Sequence, residues 1–337
     1  MMRSVPFRAT VATLAFALLA LGCGACGATV EEPSAADPAA PATVTNCGAQ
    51  VGYPLPQRAV AYDVSGADKL FALGLADRLR GYVMNKLGDP SIDSSPYKAD
   101  YQKVARLGSS KITREILVEA KADWVLAGWN SGFSEERGIT PQLLDQVGIR
   151  SYLHSETCWG YGDKKTDIAP LEALYADLLN LGKIFRVEPK AEQLVGELRD
   201  RIAKVRASVP AGAVPAKVFV YDSGVDQPFT AGRHAAPNDV ITAAGGRNVF
   251  GELEKGWAAV GWEPVVQAEP EAIVVVDYAD QPAAQKIEYL KSVPGLQNAP
   301  AVRENRFHVM SYGDLVSGPR NAQAAENLAG YLRSIGR

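Results

Sequence analysis

Residues 113–127 have the sequence Thr113-Arg-Glu115-Ile-Leu-Val-Glu-Ala-Lys-Ala-Asp-Trp-Val-Leu-Ala127, and residues 261–275 have the sequence Gly261-Trp-Glu263-Pro-Val-Val-Gln-Ala-Glu-Pro-Glu-Ala-Ile-Val-Val275. In each stretch a helix-capping residue precedes a glutamate by two places, and a short apolar helix and then a β-branched strand follow. A helix-to-strand unit repeated in each half of a chain predicts two similar α/β lobes. We expect Glu115 and Glu263 to be exposed, each in the first turn of its helix.

Short β-rich segments alternate with helical patterns on both sides of this repeat, which is typical of a parallel-sheet α/β architecture. The predicted strands are 58–64, 81–84, 124–127, 150–153, 217–221, 272–277 and 306–310. The predicted helices within the lobes are 66–79, 141–147, 237–244, 283–290 and 321–334.

An unusually long helical pattern lies between the two halves. Apolar residues recur at helical spacing from Leu171 to Phe185, and Pro189 begins a second pattern that continues to Val205. We predict a stiff connecting helix at 188–209, between an N-terminal lobe at 47–187 and a C-terminal lobe at 210–337. The alternative is a helix that packs within one lobe.

The composition excludes some classes of function. A chain of 337 residues that is 47% hydrophobic and 22% charged can bury more than one core. Its net charge of −3 and pI of about 5.8 argue against a nucleic-acid partner, which requires a basic surface.

The N-terminus has the features of a targeting segment. Arg3 and Arg8 precede an uncharged apolar stretch that is too short to span a bilayer, and the stretch ends in Leu19-Ala-Leu-Gly-Cys23. This ending resembles the lipobox of bacterial lipoproteins, so we expect a signal peptide at 1–22 and a lipid anchor on Cys23. Residues 23–46 are expected to form a disordered tether. The mature protein would then lie outside the cytoplasm, on the outer face of the cell membrane. An ordinary secretory signal is the alternative.

Two cysteines remain in the expected folded region, Cys47 and Cys158. Outside the cytoplasm such a pair favours a disulfide, which would fasten the start of the fold to the first lobe. A reactive or metal-bound Cys158 is the alternative.

The order of several motifs resembles the solute-binding proteins of ATP-driven importers for ferric siderophores, haem and cobalamin. The motifs that carry the resemblance are Pro56-Gln-Arg-Ala-Val-Ala-Tyr62, Ala120-Lys-Ala-Asp-Trp-Val-Leu126, Asn180-Leu-Gly-Lys-Ile-Phe185, Ala243-Ala-Gly-Gly-Arg-Asn-Val249 and Ser317-Gly-Pro-Arg320. The chain departs from the family pattern at Ala122, where the family has proline. The resemblance covers about residues 47 to 337.

The resemblance implies an α/β fold of two Rossmann-like lobes, each with a small, mostly parallel sheet, joined by one long interlobe helix. It also implies a monomer that docks on a membrane permease dimer through Glu115 and Glu263. The protein would bind its ligand without catalysis, and only a small rocking of the lobes would accompany binding. No intrinsic cofactor is expected, although the ligand, a small-molecule metal chelate, can itself contain iron or cobalt.

In paired α/β lobes the ligand lies at the carboxyl ends of the strands, and the loops predicted there are rich in aromatic residues. Arg233 and His234 are the most ligand-like polar pair, suited to an anionic group, although His234 could equally be a surface histidine. The predicted ligand-binding residues are Tyr62, Trp129, Phe133 and Trp159 in the first lobe and Tyr221, Arg233, His234, Trp257, Tyr278 and Tyr312 in the second.

Two other classes of function stay open. A zinc or manganese importer's binding protein would need histidine and carboxylate ligands, for which His154, Glu156 and His234 are the candidates. An extracytoplasmic enzyme is the second alternative, although no catalytic motif is visible in the sequence.

Overall fold

The structure, a computed structural model, describes residues 40–162, 166–278 and 280–337. The predicted signal peptide, Cys23 and most of the predicted tether lie outside the described residues. Within the described ranges, no helix is both long and apolar enough to span a bilayer.

The first lobe is built on a five-stranded parallel sheet in the order β5-β4-β3-β6-β7, preceded by an antiparallel hairpin of β1 and β2. The strands are β1 Ala42–Asn46, β2 Ala49–Tyr53, β3 Ala59–Tyr62, β4 Leu79–Val83, β5 Arg106–Gly108, β6 Trp124–Ala127 and β7 Arg150–Leu153. The helices of this lobe are α1 Asp63–Ala72, α2 Asp89–Asp93, α3 Lys98–Lys103, α4 Arg114–Glu119 and α5 Pro141–Asp145.

Two consecutive helices, α6 Pro170–Phe185 and α7 Glu188–Ala207, lie between the lobes in the chain. Arg186 has a left-handed backbone conformation (φ 60°) that ends α6. The two helices then pack closely, since a Cβ on Gly182 would lie only 2.5 Å from the Cβ of Ala191. A helix is present at the predicted position as α7, which packs against α6 and against α8 and α13 of the second lobe, whereas α6 contacts both lobes. The connecting role of α7 stays a prediction.

The second lobe has a four-stranded parallel sheet in the order β10-β8-β12-β13 and a separate antiparallel pair, β9 and β11. Its strands are β8 Ala216–Tyr221, β9 Phe229–Ala231, β10 Gly246–Asn248, β11 Trp257–Ala259, β12 Ala272–Asp277 and β13 Phe307–Ser311. Its helices are α8 Ala236–Ala243, α9 Trp262–Ala268, α10 Ala283–Ser292, α11 Pro300–Arg303, α12 Tyr312–Leu315 and α13 Asn321–Ser334.

One hydrophobic core runs through both lobes. It joins one face of the first sheet to one face of the second through the apolar sides of α6 and α7. Within this core, the first sheet contributes Leu126, the two helices contribute Leu178 and Leu198, and the second sheet contributes Val274. The opposite face of each sheet has a core of its own. The two lobes therefore share a common interior, which we call the shared core.

Two predicted boundaries differ from the structure. The folded region begins before residue 47, because Ala42 and Val44 alternate with exposed residues and are buried in β1. The predicted helix at 66–79 ends at Ala72, since Gly74 has a positive φ of 73° that terminates the helix before β4.

Candidate ligand-binding site

A cavity of about 390 Å³ lies at the carboxyl ends of the parallel strands of both sheets. The geometry is regular: at the ends of six of these strands, the residue that immediately follows the strand lines the cavity. These residues are Asp63 after β3, Gly128 after β6, His154 after β7, Asp222 after β8, Tyr278 after β12 and Tyr312 after β13. Parallel strands from two sheets thus present their loops to one space between the lobes.

Aromatic rings form most of the apolar wall of this cavity. Tyr278 and Tyr312 stack with their ring centroids 4.2 Å apart. Phe229 and Trp257 are held 6.1 Å apart, nearly parallel, by the antiparallel pairing of β9 with β11. Trp129 and Trp159 complete the aromatic lining. Such rings give a wide contact area to a flat ligand at a small cost in side-chain entropy.

The structure places six of the ten predicted ligand-binding residues in the cavity wall. They are Trp129, Trp159, His234, Trp257, Tyr278 and Tyr312. Three others, Tyr62, Phe133 and Tyr221, are buried in the separate core of one sheet or the other and do not line the cavity. Phe229 and the loops at Asn130 and Glu156 also line it.

Arg233 does not line the cavity either, because acidic side chains already occupy its guanidinium group. Its Nη1 atom lies 3.0 Å from Oε1 of Glu254, and its Nη2 atom lies 3.1 Å from Oδ2 of Asp167. Glu254 also contacts Nε2 of His234 at 3.0 Å, while the His234 ring stacks on Trp159 at 5.3 Å. The Arg233 and His234 side chains therefore form an ion-paired border beside Trp159.

A buried polar network lies behind the cavity wall. The Lys69 ammonium donates to Oδ2 of Asp177 at 2.7 Å and to Nδ1 of His154 at 2.8 Å, and the side chains of Lys69 and Asp177 are 0% exposed. Tyr152 donates its hydroxyl hydrogen to the other oxygen of Asp177 at 2.9 Å. Burial alone would raise the pKa of Asp177, but Lys69 holds that pKa well below its usual range.

Lys69 also fixes the tautomer of His154. An ammonium group can only donate, so Nδ1 of His154 must accept and the ring proton must be on Nε2. Burial and the Lys69 charge lower the pKa of His154 to about 4, which keeps the ring neutral at physiological pH. The Nε2 atom lies 3.3 Å from Oγ of Ser65, another residue of the cavity wall. His154 therefore has a hydrogen-bond donor on this side of its ring.

Carboxyl groups of both lobes line the cavity. Burial raises the pKa values of Asp63 and Asp222, and it raises the pKa of Glu156 to about 7. Asp63 accepts hydrogen bonds from the Val64 N–H at 2.8 Å and the Tyr312 hydroxyl at 2.5 Å. In contrast, Oε2 of Glu156 is buried and has no hydrogen-bond partner among the described residues.

A second buried lysine, Lys286, fixes the strand ends of the second lobe. Its ammonium donates to the backbone carbonyls of Asp222 at 2.5 Å, Val276 at 2.8 Å and Tyr278 at 2.7 Å. It thereby holds the ends of β8 and β12 beside the cavity. Lys286 is not among the residues predicted from the sequence; its only sequence signal is its position four residues before the buried Leu290, on the same face of α10.

The expected disulfide between Cys47 and Cys158 is formed. Cys47 lies in the turn between β1 and β2, and Cys158 lies in the 3₁₀ turn Ser155–Gly160. That turn, which we call the binding turn, contributes Glu156, Thr157 and Trp159 to the cavity wall. The disulfide therefore anchors a segment that lines the cavity.

A protein-family model described as "Periplasmic binding protein" matches residues 60–311, which include nearly all of both sheets and every cavity-lining residue except Tyr312, Val316 and Ser317. The chain belongs to this family. It is a periplasmic solute-binding protein of the ABC-transporter type, as the sequence resemblance predicted.

Individual relatives of this periplasmic binding protein cover most of its length. An uncharacterized ABC transporter substrate-binding lipoprotein, YvrC, from Bacillus subtilis is 25% identical over 81% of the chain and 79% of its own length. A vitamin B12-binding protein from Photorhabdus laumondii is 26% identical over 84% of the chain and 90% of its own length. A periplasmic binding protein from Veillonella parvula is 26% identical, with a TM-score of 0.71 over 87% of this chain and 97% of its own.

The two glutamates of the repeat occupy equivalent positions in the two lobes of the periplasmic binding protein. Glu115 is exposed in the first turn of α4, where the Thr113 hydroxyl accepts a hydrogen bond from the Ile116 N–H at 3.4 Å. Glu263 is exposed in the first turn of α9 and accepts a hydrogen bond from the side chain of Gln267 at 3.1 Å. The predicted exposure of both carboxylates is confirmed, and their docking role stays a prediction.

The candidate metal ligands do not form a metal site. Among the described residues, no group of three or more His, Cys, Asp or Glu side chains could hold a metal ion. Nδ1 of His154 is bonded to Lys69, and Nε2 of His234 is bonded to Glu254.

Proposed function

We propose that this protein is the ligand-capturing lipoprotein of an ABC importer and that its ligand is a corrinoid, a cobalt-containing macrocycle of the vitamin B12 class. The observation that carries the proposal is the lining of the cavity, in which aromatic rings are combined with carboxyl groups. No arginine or lysine is found among the described residues that line it.

The charge of this lining favours a corrinoid over the other ligands of the family. Haem and many siderophores present carboxylates or other anionic oxygens, which the carboxyl groups of Asp63, Glu156 and Asp222 would repel when they are ionised; for Glu156 this requires a pH above about 7. The ring of a corrinoid has neutral carboxamide side chains, which can donate hydrogen bonds to carboxylates. The aromatic rings supply contact with its conjugated system.

The size of the cavity fits part of such a ligand. A volume of about 390 Å³ is near the lower end of the range for small-molecule sites. The cavity would enclose one side of the macrocycle, and the remainder would extend from the mouth of the cleft. The relatives named vitamin B12-binding proteins support the same ligand class.

A titration of the purified protein tests the ligand class. Quenching of tryptophan fluorescence should be saturable with cyanocobalamin or dicyanocobinamide at one equivalent, and haemin should bind at least about tenfold more weakly because of its carboxylates. Ferrichrome, a neutral hydroxamate siderophore, is the essential comparison. Binding of ferrichrome in preference to both corrinoids would show that the corrinoid assignment is wrong.

The proposal includes lipid anchoring at Cys23. The lipobox-like sequence before this residue supports the anchor, as does the lipoprotein name of the Bacillus subtilis relative. Full-length protein expressed with an alkyne-labelled fatty acid should incorporate the label and fractionate with membranes. Cys23→Ser should lose both properties, whereas Cys26→Ser, the matched control, should keep them. Labelling of Cys23→Ser would rule out this anchor.

A further inference from the structure

The carboxyl group of Glu156 has an unused hydrogen-bond acceptor in the cavity wall. Its Oε2 atom is buried and has no partner at hydrogen-bond geometry among the described residues, although the hydroxyl of Ser317, another residue of the wall, lowers the pKa of this carboxyl. The other two carboxyl residues of the wall, Asp63 and Asp222, have side-chain donors. A buried acceptor without a donor costs folding free energy. A site that retains such a group is suited to a ligand that supplies the missing donor.

A donor without a strong partner lies two residues away on the same segment. Nε2 of His154 must carry the ring proton, because Lys69 occupies Nδ1. The only partner found for Nε2 among the described residues is Oγ of Ser65, at the long distance of 3.3 Å. His154 and Glu156 thus offer one donor and one acceptor to the same cavity.

We infer that His154 and Glu156 form a recognition site for a primary carboxamide of the ligand. The amide N–H would donate to Oε2 of Glu156, and the amide carbonyl would accept from the Nε2–H of His154. This inference deepens the proposed function and rests on it, since the side chains of a corrinoid ring are carboxamides.

The alternatives to a carboxamide leave one of the two groups unsatisfied. Above pH 7, where Glu156 is ionised, a carboxylate of the ligand could accept from His154 but would be repelled by Glu156. An ammonium group could donate to Glu156 but has no acceptor for the His154 N–H. A carboxamide satisfies both, because it has a donor and an acceptor on the same planar group.

The surroundings hold this pair in place. Lys69 and Asp177 orient the His154 ring from behind, and the backbone N–H of Ser155 donates to Oδ1 of Asp177 at 3.1 Å. The disulfide at Cys158 anchors the same turn. Both recognition groups are therefore preorganised before the ligand arrives, which reduces the entropy lost on binding.

Two corrinoids with the same ring test the inference. Dicyanocobinamide has carboxamide side chains, and dicyanocobyrinic acid has carboxylates at these positions. At pH 8, where Glu156 is ionised, wild-type protein should bind the amide at least about tenfold more tightly, the effect of one hydrogen bond to a charged group. Glu156→Gln, which is similar in size and uncharged, should reduce this preference about tenfold, chiefly by binding the acid more tightly. Glu192→Gln, an exposed control on α7, should retain the preference.

An unchanged preference in Glu156→Gln would overturn the inference while leaving corrinoid capture intact. If wild-type protein bound neither corrinoid, the proposed function would be wrong, and benzamide and benzoate would decide the inference. At millimolar concentration, benzamide should quench tryptophan fluorescence in wild-type protein more strongly than benzoate, and Glu156→Gln should lose this difference. The absence of any preference for benzamide in wild-type protein would overturn the inference.

Discussion

Lys69 shows how a single buried charge supports the ligand-binding site. Its side chain and that of Asp177 are 0% exposed, and together they fix the tautomer of His154. A buried ion pair contributes little net stability, but removal of one partner leaves an uncompensated charge. The sequence gives little sign of this role, because Lys69 lies between the equally buried Asp68 and Leu70 in an ordinary helix pattern.

Lys69→Met should therefore destabilise the protein strongly. We expect a loss of about 3–5 kcal/mol in the free energy of unfolding, measured with urea, because Asp177 would remain buried without its cation. Lys98→Met is the matched control, since Lys98 forms an exposed ion pair with Asp93 at 2.8 Å. That control should change stability by less than about 1 kcal/mol. Equal losses in the two variants would contradict the assigned role of Lys69.

Glu156 should make the stability of the free protein depend on pH. Burial raises its pKa from 4.5 to about 7, so the folded state binds this proton more tightly than the unfolded chain does. The favourable contribution is complete below pH 4.5 and is lost as the pH rises through 7. Glu156→Gln should thus be more stable than wild type at pH 8, by on the order of 2 kcal/mol, and nearly equal to it at pH 4.5.

Thermal unfolding of the two proteins at pH 4.5 and pH 8 measures this difference. Glu192→Gln serves as the control because Glu192 is exposed. A stability difference between wild type and Glu156→Gln that is the same at both pH values would show that the Glu156 carboxyl does not titrate as described.

At the scale of elements, the N-terminal hairpin is attached to the end of β7 by hydrogen bonds and to the binding turn by the disulfide. Asn46 exchanges side-chain hydrogen bonds with the backbone of Leu153, at 2.8 and 3.0 Å, and Cys47 is bonded to Cys158. The hairpin of β1 and β2 thus supports a segment of the ligand-binding site.

Loss of the disulfide should therefore affect ligand binding as well as stability. The double variant Cys47→Ser/Cys158→Ser should lose about 2–5 kcal/mol of stability, and its affinity for dicyanocobinamide should fall because the binding turn is less well positioned. Reductant should have the same effect on wild-type protein and none on the double variant, which controls for Cys23 and Cys26. Undiminished affinity in a folded double variant would show that the disulfide only stabilises the fold.

The strands and helices could be predicted from the sequence more accurately than the residues that line the cavity could. The seven predicted strands correspond to strands of the two sheets, because apolar β-rich segments bounded by helical patterns are a strong signal. The site depends on single positions. Tyr62 and Tyr221 are the last residues of β3 and β8 and point into the cores, while the next residues, Asp63 and Asp222, line the cavity. An offset of one residue reverses the side of a strand that a side chain occupies.

The pairing of Arg233 was unpredictable for a different reason. Its acidic partners, Glu254 and Asp167, are 21 and 66 residues away in the sequence, so only the folded chain brings them together. A sequence in which many acids could serve as partners gives no means of choosing among them. A contact between Arg233 and an anionic ligand is consistent with the residue type. In the folded chain, however, the Arg233 guanidinium forms ion pairs with Glu254 and Asp167 beside the cavity.

At the scale of the whole molecule, side-chain bonds between the lobes add to the shared core. Arg320, which precedes α13, donates its Nε–H to Asp68 of α1 at 2.6 Å. Ser311 contacts Ser91 at 3.0 Å. We expect these links and the helix pair to restrict lobe movement to a small rocking. Small-angle X-ray scattering should show nearly equal radii of gyration with and without dicyanocobinamide, and a large compaction would contradict this expectation.

Delivery to the permease tests the paired glutamates. In vesicles that contain the cognate permease, Glu115→Ala/Glu263→Ala should lose most ligand uptake but retain wild-type affinity for the ligand, because both side chains are exposed and lie outside the cavity wall. Glu119→Ala/Glu288→Ala, which also removes one exposed glutamate from each lobe, is the matched control. Normal uptake by the first variant would show that docking does not depend on these carboxylates.

The shared core also bears on how such proteins can be recombined. Because α6 and α7 fill the interior of both lobes, a chimaera that joins one lobe of this chain to the other lobe of a relative would create a mismatched interior along the whole helix pair. Ligand preference would therefore be exchanged more safely through the loops at the strand ends. In this architecture a surface loop can be exchanged between relatives, whereas the exchange of a whole lobe would disturb the shared core.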